Sequence, residues 1–265
     1  MGSVRYQERE PPPQLRPWVR RVWSYEDASP SGVLQRIPPD GCPELIIHLG
    51  DPYEEEREAG VFERQPRVIF AGQMTLPLCL RARGPVACAG LRFEPDGAAG
   101  WFGAAMKLAT DLRMDATGRI DASGVQDVGA AIALLQDHVG AAIAADGSRL
   151  DPEIRADVRR QQDGPAHAAP DPAERRRIQR LYLKLVGVSP QMLQSIFRFR
   201  RVFDRAAEAD GGSWLNVALD AGYFDQPQMA RDFRRFLGCT ATEWAREQIE
   251  LGRAVASYPA SGPLD

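Results

Sequence analysis

Two hydrophobic rhythms divide the chain. Between about residues 31 and 95 the apolar residues come in short runs, VLQRI, ELIIHLG, RVIFAGQ, LCLRARG and VACAGLRF, punctuated by PPDGCP, GDP, LPL, RGP and EPDG. Brief apolar runs bounded by Gly, Pro and Asp are what strands joined by tight turns look like, and their spacing predicts an antiparallel sandwich or barrel. Upstream, PPPQLRP (11–17) reads as extended, and Trp18, Val19, Val22 and Trp23 read as apolar anchors. The charged segment DPYEEEREAGVFERQP (51–66) reads as an exposed hairpin loop whose acidity is a solvated surface.

After Pro95 the rhythm becomes helical. GAAGWFGAAMKLATDL (97–112) and VQDVGAAIALLQDHVGAAIA (125–144) are predicted helices. In the second, Val128, Ile132, Leu135, Val139 and Ile143 recur at helical spacing. That stripe fits packing on the β domain, with a dimer contact as the alternative. AADGSRLDP (144–152) reads as a linker, which divides the chain into domains at 1–147 and 148–256. Beyond it the helices mark their own ends. Asp151-Pro152 and Asp171-Pro172-Ala173-Glu174 each offer an aspartate N-cap followed by proline at the first helical position. Further helices are predicted from Ser189-Pro190 to about Ala209, from Ser213 to Gly222 and from Asp225 to Gly238. Thr240-Ala241-Thr242-Glu243 is a capping box for a last helix. Short helix, glycine turn, basic helix is the order of a helix-turn-helix. The fold class is thus α+β, a β domain with trailing helices before an all-α domain.

Charge sharpens the division. The formal net charge is −3, so the chain as a whole is no basic nucleic-acid coat. Residues 171–205, however, carry nine basic against three acidic side chains. A local basic stretch on a neutral body suits a DNA-binding module joined to another domain. The cysteines, Cys42, Cys79, Cys88 and Cys239, form no C-x-x-C pair and fit a reducing cytosol. The N-terminus has no apolar signal core, and no run of 18 apolar residues predicts a membrane helix.

LNVALDAGYFDQPQMARDFRRFLGCTATEW (215–244) resembles the second helix-turn-helix of the AraC family of transcription regulators, through A-x-x-A-G-Y-x-D-Q-x-x-x-x-R-x-F-R-R-x-x-G-x-T. LYLKLVGVSPQMLQSIFRFRRVF (181–203) resembles the end of that family's first recognition helix and its connecting helix. RPWVRRVWSYE, PPDGCPELIIHLGDPY and GLRFEPDGAAGWFG look like the effector-type domain of one AraC branch. The resemblance implies a cupin-like β-barrel with trailing helices, a C-terminal double helix-turn-helix, and a cytoplasmic regulator that binds double-stranded DNA. A small-molecule effector, RNA polymerase and a second copy of the chain are left open as partners. Two positions depart from the family. QQDGPAHAAPDP (161–172) stands where a short apolar supporting helix is usual, and its three prolines predict an unusual first helix-turn-helix. Thr240-Ala241 replaces Thr-Pro, which a first helical turn tolerates.

On the second recognition helix, Gln226, Gln228 and Arg231 fall near one exposed face. Glutamine pairs with adenine and arginine with guanine in the major groove. Met229, Phe233 and Phe236 read as core, and Arg234 and Arg235 as phosphate or surface groups. On the first, Arg175, Arg176, Arg177 and Arg180 crowd four cations near the positive end of a helix. DNA phosphate is the natural counter-charge. Arg198, Arg200 and Arg201 read as structural or surface groups. Cys42, Glu44 and His48 lie close enough in sequence to hold a metal, but a buried thiol and a packed histidine are the simpler reading. With only three histidines and no nucleophile elbow or P-loop, no metal, cofactor or enzymatic activity is expected. The competing reading is an AraC-like interaction module with weakened or lost DNA binding.

Overall fold

In the computed structural model, which describes residues 4–146, 150–164, 171–208 and 221–244, ten strands precede the helical half. The strands are β1 (Arg5–Arg9), β2 (Val19–Asp27), β3 (Gln35–Ile37), β4 (Glu44–His48), β5 (Glu54–Glu58), β6 (Val61–Arg64), β7 (Val68–Ala71), β8 (Leu78–Arg81), β9 (Val86–Phe93) and β10 (Arg113–Asp115). They form two antiparallel sheets. One runs β1-β2-β9-β4-β7-β10 and the other β3-β8-β5-β6. The expected barrel thus takes the form of two sheets whose side chains line a common cavity.

Alternation on the central strands sets the layers. Leu45 and Ile47 of β4, Val68 and Phe70 of β7 and Leu91 and Phe93 of β9 point to one face. That face is covered by α2 (Val128–Asp146) through Ala131, Ile132, Leu135 and Val139, and by Trp101 of α1 (Ala99–Phe102). Each of the Val, Leu, Ile and Phe side chains, fully buried, contributes roughly 1.5–3 kcal/mol. Glu44, Ile46 and His48 alternate with them and line the space between the sheets. Gly90 faces Trp23 across the β2–β9 ladder, where a Cβ would lie 2.6 Å from the indole. Only glycine lets that ring cross the strand.

Three expectations change here. The helical run at 97–112 is broken, because Gly103 adopts φ 74 at the end of α1 and a 3-10 turn, Met106–Ala109, leads into β10. The 51–66 segment is a true hairpin, β5 and β6, turned at Gly60 (φ 79). Its acidity is not all solvated. Glu55 is fully buried, bound by Arg113, by Arg57 at 2.7 Å and by Gln65 Nε2 at 3.1 Å. A carboxylate out of water needs such partners. Finally, α2 is long and apolar enough to cross a membrane by length and composition. Gln136, Asp137 and His138 interrupt its apolar text, and its buried stripe packs on the sheet.

The helical half comprises α3 (Pro152–Asp163), α4 (Pro172–Leu185), α5 (Pro190–Glu208) and α6 (Gln226–Leu237). Helix α5 joins two cores. Leu193 and Phe197 pack with Ile154 and Val158 of α3 and Tyr182 and Val186 from α4 onward. Ile196, Phe199 and Val202 pack with Tyr223, Met229, Phe233, Phe236 and Leu237 around α6. The helix expected from Ser213 to Gly222 lies mostly outside the described residues. Side chains link the β half to the helices: Asp96 to Arg155 at 2.8 Å, Thr110 to the Gly187 carbonyl at 2.7 Å and Arg36 to the Leu237 carbonyl at 3.3 Å.

Candidate nucleic-acid interface

Helix α6 is bounded at both ends by its own sequence. Gly222 turns the chain at φ 87 and Gly238 ends the helix at φ 72. Asp225 is the N-cap and its Oδ1 accepts from the Gln228 amide at 2.7 Å. Met229, Phe233, Phe236 and Leu237 are buried and fix which face looks outward. Arg198 on α5 pairs with Asp232 at 2.8 Å and lies over the Tyr223 ring at 4.7 Å, so α6 is held by charge as well as by packing. Burial and the nearby Asp232 push the Tyr223 hydroxyl well above its ordinary range. Gln226, Arg231, Arg234 and Arg235 are exposed. The Arg235 guanidinium lies 5.7 Å from the Phe236 ring.

Gln228 is half-buried, and its Oε1 accepts from the Phe224 amide at 3.0 Å. This is a variant of the capping box, with the glutamine reaching one residue further back. The D-x-x-Q spacing carried that signal, although the sequence pointed first to base contact. Phe224 itself, which no sequence pattern singled out, is 89% exposed.

Helix α4 starts at Asp171, whose Oδ1 accepts from Ala173 and Glu174 amides at 2.8 and 3.3 Å. Pro172 opens this helix instead of breaking it. Pro165 and Pro170 lie outside the described residues. Helix α3 ends before them and packs on α4, which therefore has firm support. There the Tyr182 hydroxyl donates to Asp157 and accepts from Gln161 Nε2 at 3.1 Å. Burial, then Asp157, pushes that hydroxyl far above its usual range. Arg175, Arg176 and Arg180 are exposed. Arg177 instead pairs with Glu174, at 2.7 and 3.0 Å, and with Glu153 of α3. Arg177 holds the Glu174 carboxyl below its ordinary range.

Between the sheets lies a cavity of about 340 Å³. Trp23, Tyr25, Tyr53 and His48 supply rings, Ile46 and Leu80 apolar walls, and Arg200 of α5 reaches its lining. Glu44, Arg92 and Asp40 form a charged edge, with Arg92 Nε 2.8 Å from Glu44 and 3.3 Å from Asp40. Burial raises the Glu44 carboxyl and Arg92 opposes the rise. Burial lowers His48 to about 4, so its ring is neutral at physiological pH. Burial also pushes the Cys88 thiol up to about 12 and raises Cys42, next to Arg20. Neither thiol is a ready nucleophile. Among the described residues no group of three His, Cys, Asp or Glu side chains is arranged to hold a metal ion.

Helix α6, capped at Asp225 after the Gly222 turn and backed by buried aromatic side chains, presents polar and basic side chains outward, as the recognition helix of a helix-turn-helix does. Residues 173–247 match the family described as "Helix-turn-helix domain", and residues 7–115 match "Domain of unknown function (DUF6597)". Residues 173–247 of the chain therefore carry a helix-turn-helix domain. Comparison with curated proteins finds no match. Solved structures similar to the chain include three of ToxT from Vibrio cholerae. One, in the P21 form, is 10% identical, covering 90% of this chain and 97% of that one, with a TM-score of 0.42. One with bound unsaturated fatty acid is 10% identical, covering 84% and 93%, with a TM-score of 0.41. One bound to (E)-4-(8-methylnaphthalen-1-yl)but-3-enoic acid is 9% identical, covering 90% and 97%, with a TM-score of 0.41. The assignment rests on the sequence match to the helix-turn-helix family.

Proposed function

We propose that the protein reads an operator through α6 and grips the DNA backbone through α4. Gln226 and Arg231 meet base edges, with Gln228 adding its free amide NH₂ while its oxygen stays in the cap. Arg235 and three of the α4 cations, Arg175, Arg176 and Arg180, supply charge to phosphates, while Arg177 stays with Glu174 and Glu153. The observation that carries this reading is the two-faced α6: Met229, Phe233, Phe236 and Leu237 buried, Gln226 and Arg231 exposed, and a capped N-terminus. A recognition helix needs that rigidity, because bidentate contacts tolerate little misplacement.

In the same reading, residues 1–147 form a sensing domain and 148–256 the DNA-binding domain. The cavity between the sheets takes a small-molecule effector, and its contact with Arg200 of α5 offers a route to the DNA-binding half. The protein is a regulator and no enzyme, and works in the cytoplasm where its DNA lies. As a homodimer it would read paired half-sites one or more helical turns apart, and RNA polymerase would be its partner at a promoter. Fluorescence anisotropy on a duplex selected from a random pool, beside unselected duplexes, tests the core of this. Expected are preference for the selected duplex and affinity that falls as salt rises. Equal affinity for both at every salt concentration would remove the operator-reading function.

A further inference from the structure

We propose that Phe224 is a specificity-determining residue, whose ring packs on the C5-methyl group of a thymine at the edge of the sequence that α6 reads. The proposal rests on the reading that α6 enters the major groove.

The starting point is an exposure that the fold does not explain. Tyr223 is 3% exposed and Phe224, the next residue, 89%. Phe224 precedes the N-cap Asp225, the position from which a hydrophobic residue often staples itself to the fourth residue of the helix. That partner is present here as Met229, but Met229 is buried with Phe233 and Phe236 and the exposed ring makes no staple. A local apolar contact was within reach and is not made.

The ring is nevertheless carried on a fixed piece of backbone. The Phe224 amide donates to Gln228 Oε1 at 3.0 Å, Asp225 accepts from the Gln228 amide at 2.7 Å, and Gly222 sets the turn at φ 87. Gln228 is thus a positioning residue for Phe224 through the cap. A ring pre-set in this way loses little freedom on binding.

Its surroundings select the partner. The N-terminal end of a recognition helix is the end that meets base edges. Gln226 and Arg231 offer hydrogen bonds there, and Phe224 offers only apolar surface. On the major-groove edges of the four bases, the thymine methyl is the one apolar group.

The test uses the full-length protein and a duplex selected from a random pool. Each thymine in turn is replaced by deoxyuridine, which removes the methyl and keeps the base pair. At one position the wild type should lose affinity roughly fourfold, the value of one buried methyl-sized group. The same replacement should be silent in Phe224→Ala, while Phe224→Leu keeps part of the effect. If deoxyuridine weakens wild type and Phe224→Ala equally, or is silent at every position in wild type, the proposal is overturned. It is overturned also if Phe224→Ala changes self-association and leaves DNA affinity unaltered. Arg231→Ala separates the two levels. If that variant keeps the wild-type sequence preference, the reading of α6 fails and this inference with it. If it relaxes the preference while no thymine couples to Phe224, only this inference fails.

Discussion

Helices α4 and α6, the two proposed to meet DNA, begin and end alike and spend their charge differently. Both α4 and α6 start on an aspartate N-cap and stop near a left-handed glycine, Gly187 or Gly238. Both lay an aromatic face against α5 or its neighbours. On α6 the acidic residue, Asp232, points inward and is matched by Arg198, so the outward face keeps Gln226 and Arg231 exposed. On α4 the acids stand outside. Glu174 and Glu153 engage Arg177, one of the four clustered cations. The difference teaches that counting arginines along a helix overstates what is offered to DNA. A cation already forked onto two carboxylates has its charge offset before DNA arrives, whereas Gln226 and Arg231 can meet a base without breaking a described ion pair.

The sharpest way to break this comparison is at Arg231. Arg231→Ala should weaken binding to the selected duplex by roughly 1–3 kcal/mol, relax preference at one base pair, and leave random duplexes nearly unaffected. Competition binding against single-base variants reads this directly. Equal loss on all duplexes would make α6 a phosphate-binding helix like α4.

Next in size is Tyr182. Its buried hydroxyl joins α4 to Asp157 and Gln161 of α3. Tyr182→Phe should cost about 1–3 kcal/mol, since one partner is charged. Urea unfolding should show a lower midpoint with an unchanged slope. The core around α6 shares only Met192 at its margin with that around α4, so base preference should survive the change. Loss of preference would mean that the two helix-turn-helix units are positioned as one.

A finer distinction lies inside α4 itself. Arg176→Ala should flatten the dependence of log affinity on log salt by about 0.9, the value of one phosphate contact. Arg177→Ala should weaken binding with the slope nearly unchanged, because its guanidinium is held by Glu174 and Glu153. Anisotropy titrations at four or five salt concentrations would separate the two. If both variants flatten the slope equally, Arg177 leaves its ion pairs when DNA arrives.

What was legible in the sequence follows from how local each cause is. The runs ELIIH and VACAGLRF announced β4 and β9 because alternation with turn residues is written in adjacent positions. The aspartate-proline caps announced α3 and α4 for the same reason. Strand β1, RYQER, stayed hidden because it is an edge strand, exposed along most of its length, and its pairing with β2 depends on a distant partner. Glu55 looked like surface because Arg113, 58 residues away, is what makes its burial tolerable. At the candidate interface the sequence pointed to Gln226 and Arg231, which the fold leaves exposed. It did not point to Phe224, since nothing in the letters tells an outward aromatic from the buried one beside it. That the cap would occupy Gln228 was readable from its spacing, but base contact and capping call for the same residue at the same position.

The smallest effects are expected where the β half touches the recognition helices. Thr110 Oγ1 donates to the Gly187 carbonyl beyond α4, and Arg36 donates to the Leu237 carbonyl in the last turn of α6. Carbonyls at a helix end lack intrahelical donors, so each contact satisfies a group that would otherwise need water. Arg36 also brings a cation to the negative end of the α6 dipole, worth typically 0.3–1 kcal/mol. Thr110→Val should cost about 0.5–1.5 kcal/mol of stability and Arg36→Ala somewhat less, because the arginine is more exposed. Their effects on DNA should separate along the same division as the helices. Thr110→Val loosens α4 and should shift affinity for selected and random duplexes together. Arg36→Ala loosens α6 and should reduce only the difference between them. Strand β3 places Arg36 between Gln35 and Ile37, which line the cavity, so the α6 contact is also the one nearest in sequence to the proposed effector site. If both variants changed specific and random binding in the same ratio, the β half would grip the helical half as one body, and the division of labour between α4 and α6 would have to arise within the helical half alone.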